Sequence, residues 1–175
     1  VMMKRARAAG ITLYSPLLGR SSSQWRITEN GGLLAPLSLI SGIGDRAADL
    51  LFEAAQNVQW TDLWSFLYWV EKNSKVCNAK VVKCLATAGA LRKLAPLDLA
   101  FDAANAFGVS KATKAESRSQ MAQRLIEQHP AEFRLTRPDP ESYAVLERQA
   151  LGFTFWRDSW SINDRSRKAE QLESE

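Results

Sequence analysis

The sequence predicts a mainly α chain with a small β element at its N-terminal end, and three observations carry that expectation. Apolar residues recur at helical spacing from Leu33 to about residue 150. Alternating, turn-bounded segments occur only before Gly32. Helix-stopping glycines or prolines stand at Gly10, Gly89 and Pro130.

In chain order, Met2 to Ala9 reads as the end of a basic helix stopped by Gly10. Ile11 to Ser15 alternates and ends at Pro16, and Trp25-Arg26-Ile27-Thr28 is a second short strand before the Asn30-Gly31-Gly32 turn signal. The two are expected to pair as a hairpin-like element. Leu33, Leu34, Leu37 and Ile40 then fall at i, i+1, i+4 and i+7, a helical stripe in which Pro36 is tolerated as part of the first turn. A second helix runs from Asp45 to Gln56. A third opens at Thr61 as N-cap and carries Leu63, Trp64, Phe66, Leu67, Trp69 and Val70, whose aromatic density marks it as core. A fourth spans about Ala79 to Ala88. Four helices in two pairs follow.

Beyond Pro96 the pattern gives a helix to about Phe107, a break at Gly108 to Lys111, a helix from Glu116 to His129, a proline-marked linker at Arg137 to Pro140, and a helix from Glu141. The organisation expected is 1–32 with short strands, 33–95 with the two helix pairs, 96–150 as a helical extension, and 151–175 as a connector or frayed tail.

Composition excludes several classes of function. The chain has 175 residues, 46% of them hydrophobic, with a mean hydropathy of −0.25. It contains no apolar run near the roughly 18 residues that a membrane span needs, and "VMMKRARAAG" is no secretory signal, so a cytoplasmic location and no membrane partner are expected. Cys77 and Cys84 are too far apart on a helix for a disulfide and read as buried thiols, and His129 has no cysteine or carboxylate cluster around it for zinc. The formal charge is +4. From Lys72 to Lys93 the chain carries Lys72, Lys75, Lys80, Lys83, Arg92 and Lys93 with no acid, a local field that favours phosphates.

The stretch "SLISGIGDRAADLLFEAA" (38–55) is the most informative. Gly42-Ile43-Gly44 joins two helices more tightly than residues with a Cβ allow, with Ile43 plugging the joint. The amides of Gly44, Asp45 and Arg46 then open the next helix, where unpaired N–H groups and the macrodipole both favour an anion. In the second pair no glycine lies between Val70 and Asn78, so Asn73 or Asn78 is expected to adopt the left-handed conformation, and Lys75, Lys80 and Lys83 are expected to meet phosphate through side chains.

The Gly-apolar-Gly joint resembles the helix-hairpin-helix motif, which binds a nucleic-acid backbone without reading bases. The order of "KRARAAGITLYSPLLGRSSSQWRI", "LISGIGDRAADLLFEA", "WTDLWSFLYWV" and "VCNAKVVKCLATAGAL" resembles the end of the fingers and the tandem helix-hairpin-helix region of the alpha subunit of bacterial DNA polymerase III, a C-family replicative polymerase. Gly10-Ile11, Pro16, Ser21, Gly42, Gly44, Asn78, Lys80 and Ala88-Gly89-Ala90 carry the match, which covers about Lys4 to Leu94. Leu151-Gly152-Phe153 resembles the segment that follows in the family, but Trp156-Arg157-Asp158-Ser159-Trp160 replaces its His-Pro pair and marks a divergent member.

The resemblance implies a tandem helix-hairpin-helix domain that grips both strands of duplex DNA, primer–template included, across a minor groove. The contacts fall on Gly42, Ile43, Gly44, Asp45, Arg46, Lys75, Asn78, Lys80 and Lys83. It implies a parent DNA-directed DNA polymerase using magnesium, with catalytic carboxylates upstream of the matched region, and as further partners the rest of that polymerase and a sliding clamp. The start in mid-helix without an initiating methionine reads as a piece of a longer polypeptide. No cofactor is expected in this segment. Asp98 and Asp102, at i and i+4, share a helix face but are read as solvated acids and not as a metal site. Gln171-Leu172 resembles a clamp-binding peptide, yet Glu173-Ser174-Glu175 follows where apolar residues are needed. The competing readings are a free-standing helix-hairpin-helix protein of repair or recombination, in which Trp60, Trp64, Phe66 and Trp69 serve a partner as well as a core, and a helical interaction module whose Gly-Ile-Gly is only a tight turn.

Overall fold

In the computed structural model, which describes residues 2–153 and 155, the chain is mainly helical, with α1 (Met2–Ala8), α2 (Asp45–Asn57), α3 (Leu63–Lys72), α4 (Ala79–Thr87), α5 (Leu97–Val109), α6 (Arg118–Gln128), α7 (Pro130–Leu135) and α8 (Pro140–Leu151). Three two-residue strands, β1 (Leu13–Tyr14), β2 (Arg26–Ile27) and β3 (Leu33–Leu34), form the small sheet. The Trp156 to Trp160 segment and Gln171-Leu172 lie outside the described residues. No described helix is long and apolar enough to cross a membrane.

The sheet corrects the sequence expectation at two points. Its order is β1-β3-β2, so the first two strands do not pair with each other: β3 lies between them, parallel to β1 (Leu13 opposite Leu33) and antiparallel to β2 (Ile27 opposite Leu33). The hairpin is therefore β2–β3 across Asn30-Gly31-Gly32. The expected helix at Leu33 to Ile40 is absent for the same reason. Leu33 and Leu34 are strand, and only a single 3₁₀ turn, Leu37–Leu39, precedes the Gly-Ile-Gly joint. Pro36 holds φ −71° and ψ 153° and disfavours helical geometry at Ala35, while the Leu33 amide donates to the Thr12 carbonyl at 2.9 Å. Leu34 packs with Leu17 and Tyr14.

The remaining helices follow their capping chemistry. The α3 N-cap is Asp62 rather than Thr61, because its carboxylate accepts from the Ser65 amide at 2.7 Å while the Ser65 hydroxyl accepts from the Asp62 amide at 3.2 Å. Ser117 and Gln120 form the same reciprocal pair at α6, and Asp139 caps α8 through the Ser142 amide at 2.8 Å. α7, which the periodicity does not announce, starts at Pro130 in the first-turn position. His129 stands exposed between α6 and α7, its Nδ1 3.6 Å from Glu132.

Helices as short as α4, with nine residues, do not persist alone in water, where about 12–15 residues are marginal. Packing holds them. One apolar cluster includes Ile40, Ile43, Leu51, Phe66, Leu67, Val82, Leu85, Leu91, Phe107 and Leu151, and each such side chain contributes roughly 1.5–3 kcal/mol on burial. α5, apolar nearly all round, is the most enclosed helix and lies against α4 and α6. Trp60 stands edge-on to Phe66 (5.0 Å) and to Trp69 (5.2 Å), and Phe66 is fully buried. Phe66 belongs to the core, and Trp60, Trp64 and Trp69 pack against it half-buried. Cys77 is buried, its thiol pushed up to about 12 by desolvation, and Cys84 is half-buried with its thiol also raised.

Candidate nucleic-acid interface

Gly42 has φ +94°, a conformation that residues with a side chain rarely adopt. A Cβ placed there would also come within 3.0 Å of the Cys84 sulfur, so the missing side chain lets α4 close against the joint. Ile43 is 3% exposed and belongs to the main core, and its amide is occupied by the Ile40 carbonyl at 3.0 Å. The isoleucine is the plug expected from the sequence, and it presents no side chain to solvent.

Gly44 differs from Gly42. Its φ of −82° and ψ of 166° suit any residue, and nothing lies within 4 Å of a Cβ built on it. It is the N-cap of α2, and no side chain caps that helix. The first intrahelical bond runs from the Ala48 amide to the Gly44 carbonyl, leaving the amides of Gly44, Asp45 and Arg46 at the exposed mouth of α2. α3, α4, α6 and α8 all have a side-chain oxygen in the corresponding place. The open helix start at Gly44 is thus set apart from these capped ones, in the geometry that accepts an anion.

The second joint is built differently from the expectation. Neither Asn73 (φ −119°, ψ 33°) nor Asn78 (φ −111°, ψ 178°) is left-handed. A longer turn makes the left-handed residue unnecessary: the Asn73 side chain donates to the Trp69 carbonyl at 2.8 Å, and the Asn73 carbonyl accepts from the amides of Val76 and Cys77. Asn78 then caps α4, its oxygen accepting from the amides of Lys80 (3.0 Å) and Val81 (3.2 Å). Two of the backbone donors that would meet an anion at α4 are already satisfied. Cations remain, since Lys75, Lys80 and Lys83 are exposed and none has an ion-pair partner among the described residues.

The structure brings part of the two joints together. Lys80, Lys83 and Cys84 all lie on α4, and Cys84 is the residue against which Gly42 rests. These lysines are therefore carried by the helix that seats the first joint. Not all of the basic run is available. Arg92 is half-buried and donates to the carbonyls of Ser15 (3.1 Å), Pro16 (2.7 Å) and Gly89 (3.1 Å), tying the N-terminal segment to the end of α4. Lys72 stands 5.1 Å over the Tyr68 ring.

Asp102 is not a solvated acid, and Asp98, still 37% exposed, is paired. Arg137 Nε donates to both carboxylate oxygens of Asp102 at 3.0 and 2.9 Å, its Nη2 reaches the same carboxylate, and its Nη1 donates to Asp98 at 3.1 Å. Both carboxylates are occupied by a guanidinium and do not fit a magnesium site. The pairing of an i, i+4 aspartate couple with the arginine of the Arg-Pro-Asp-Pro linker was the signal in the sequence for this clamp, across 35 residues.

A positive-φ glycine that seats one helix against another, a buried apolar plug and an uncapped helix start recur here in the order Gly42, Ile43, Gly44. A search of curated proteins returns no match. Residues 10–97, half of the chain, match the helix-hairpin-helix motif family, and the chain belongs to that family.

Proposed function

We propose that this chain binds the sugar-phosphate backbone of duplex DNA without sequence preference, as a non-catalytic grip within the alpha subunit of a bacterial DNA polymerase III. The observation that carries the DNA-binding part is the uncapped, exposed start of α2 at Gly44, Asp45 and Arg46, together with the exposed lysines of α4, the helix against which Gly42 rests. Membership in the helix-hairpin-helix family points to the same non-specific DNA binding. Phosphate contacts of this kind position a protein and carry no base information. In this reading Gly44, Asp45 and Arg46 contact one strand through backbone amides, and Lys75, Lys80 and Lys83 reach the other through side chains, with Asn78 holding the start of α4. Gly42 and Ile43 shape the joint from behind.

Titration of short duplexes of unrelated sequence tests this grip. With about 3–5 phosphates neutralised, log K should fall against log[salt] with a slope of about −3 to −4, at equal affinity across sequences. Binding indifferent to salt, or none, would sink the proposal.

Placement in a replicative polymerase rests on the order of the sequence blocks from Lys4 to Leu94. There the remainder of the polymerase supplies the carboxylates and magnesium for nucleotidyl transfer, and this segment holds the duplex behind the active site. A tether raises the local concentration of DNA into the millimolar range, so an isolated affinity of about 10⁻⁴–10⁻⁶ M suffices. Removing Leu33 to Leu94 from the polymerase that carries them should lower primer–template affinity and processivity while single-nucleotide incorporation persists at saturating DNA. Unchanged processivity and primer–template affinity would overturn the grip role.

A further inference from the structure

The family match ends at residue 97, yet the joint it describes is anchored by chain far beyond it. The Ser41 amide, immediately before Gly42, donates to the Ala150 carbonyl in the last turn of α8 at 2.6 Å. Leu151, 3% exposed, enters the same core cluster as Ile40 and Ile43, and α8 packs along α4, the helix on which Gly42 rests. The other end of α8 is fixed as well. Asp139 caps it, and Arg137, two residues earlier, is locked onto Asp102 of the enclosed helix α5. The edge of Tyr143, on the first turn of α8, meets Phe101 of α5 at 6.0 Å.

We infer that α8 is a positioning brace for the DNA-contacting joint, with Leu151 and Arg137 as its positioning residues and the Ser41–Ala150 bond as its point of contact. This rests on the proposed role of the α2 start. The geometry supplies the mechanism. A 3₁₀ turn of three residues, Leu37–Leu39, is a weak lever for holding the orientation of Gly42 to Arg46. Gly42, the residue that follows Ser41, has φ +94° and as a glycine has more alternative conformations than any other residue, so an anchor at the adjacent Ser41 amide limits the directions in which the α2 amides face. The last carbonyls of a helix have no intrahelical partner, and here one of them accepts from the neighbouring joint.

Amide hydrogen exchange on the full chain, read together with duplex titration, tests the brace. In the wild type the Ser41 amide should be protected at least tenfold over an exposed loop amide; an unprotected Ser41 overturns the inference without any variant. In Leu151→Ala, and more mildly in Arg137→Lys, which keeps the charge but loses the two-pronged grip, Ser41 should exchange at least tenfold faster. Protection within α3 should persist. Duplex affinity should then fall roughly five- to twentyfold with the salt slope nearly unchanged, because the displaced amides carry no net charge and release no counterion. A merely structural role would lower the melting temperature and leave duplex affinity unchanged at temperatures where the variant is folded, and that result overturns the inference. Failure of the DNA-binding proposal shows separately, in a wild-type chain that does not bind duplex or a Gly44→Val chain that binds it undiminished.

Discussion

Replacing Gly44 by valine is expected to weaken duplex binding by tenfold or more while leaving the fold in place. Valine adopts a φ of −82° and ψ of 166° without strain, and space is free around its Cβ. The loss of a good N-cap residue costs α2 about 1 kcal/mol, which the packed core tolerates. Binding suffers because the added side chain fills the mouth where the amides of Gly44, Asp45 and Arg46 meet a phosphate. Each hydrogen bond to a charged group is worth about 1.5–3 kcal/mol, and a phosphate kept at a distance forfeits more than one. Lys80→Ala removes a single exposed, mobile charge. At about 0.5–1 kcal/mol that change should cost two- to fivefold. Circular dichroism of both variants should match the wild type. If Lys80→Ala proves the more damaging, the α4 side is the main contact and the ranking of the two joints reverses. The same substitution at Gly42 would not give this information, because φ +94° and the Cys84 sulfur make it a test of folding.

The two glycines show what a sequence carries openly. Gly-Ile-Gly before an acid-led helix is a local signal: its meaning depends on one bond rotation, one plug and one helix start, all within five residues. The same holds for α2, α3, α4 and α5, whose periodicity and caps lie within their own spans, to within a residue or two. Leu33 to Ile40 was misleading because spacings of i, i+1, i+4 and i+7 are satisfied equally by a two-residue strand followed by a 3₁₀ turn. What decides between them is the parallel pairing of Leu33 with Leu13, twenty residues away, and a local window does not contain it. Asn78 misled for a different reason. Asparagine serves both as a left-handed residue and as an N-cap, and the longer turn from Asn73 to Cys77 left only the second use. The Arg92 clamp, the Ser41–Ala150 bond and the Arg137 clamp join positions 35 to 109 residues apart. A charge run or an aspartate couple announces that such residues exist, but not which distant group they meet.

The Arg137 clamp carries the largest stability effect expected in the molecule. The side chain of Asp102 is 1% exposed, and its principal partner is a guanidinium that is itself 28% exposed. Desolvating that carboxylate costs several kcal/mol, which the two-pronged arginine offsets by placing two donors in the plane of its oxygens. Arg137→Ala takes away the offset and leaves the cost. The expected loss is about 3–5 kcal/mol, or roughly 6–20 °C in melting temperature for a chain of this size. Asp98, 37% exposed, cannot compensate, since it carries the same sign and relaxes into solvent. The double variant Arg137→Ala, Asp102→Leu should recover most of the loss, because no unpaired buried charge remains and leucine branches at the same carbon with the same number of heavy atoms. Such recovery would show that the clamp's main effect is to neutralise Asp102 and fix the linker before α8, with little net gain in stability. Thermal denaturation of the four chains of this cycle gives the coupling directly. A loss below about 1 kcal/mol in Arg137→Ala would place the pair among ordinary surface ion pairs and would leave the start of α8 held by the Asp139 cap and the Phe101–Tyr143 contact alone.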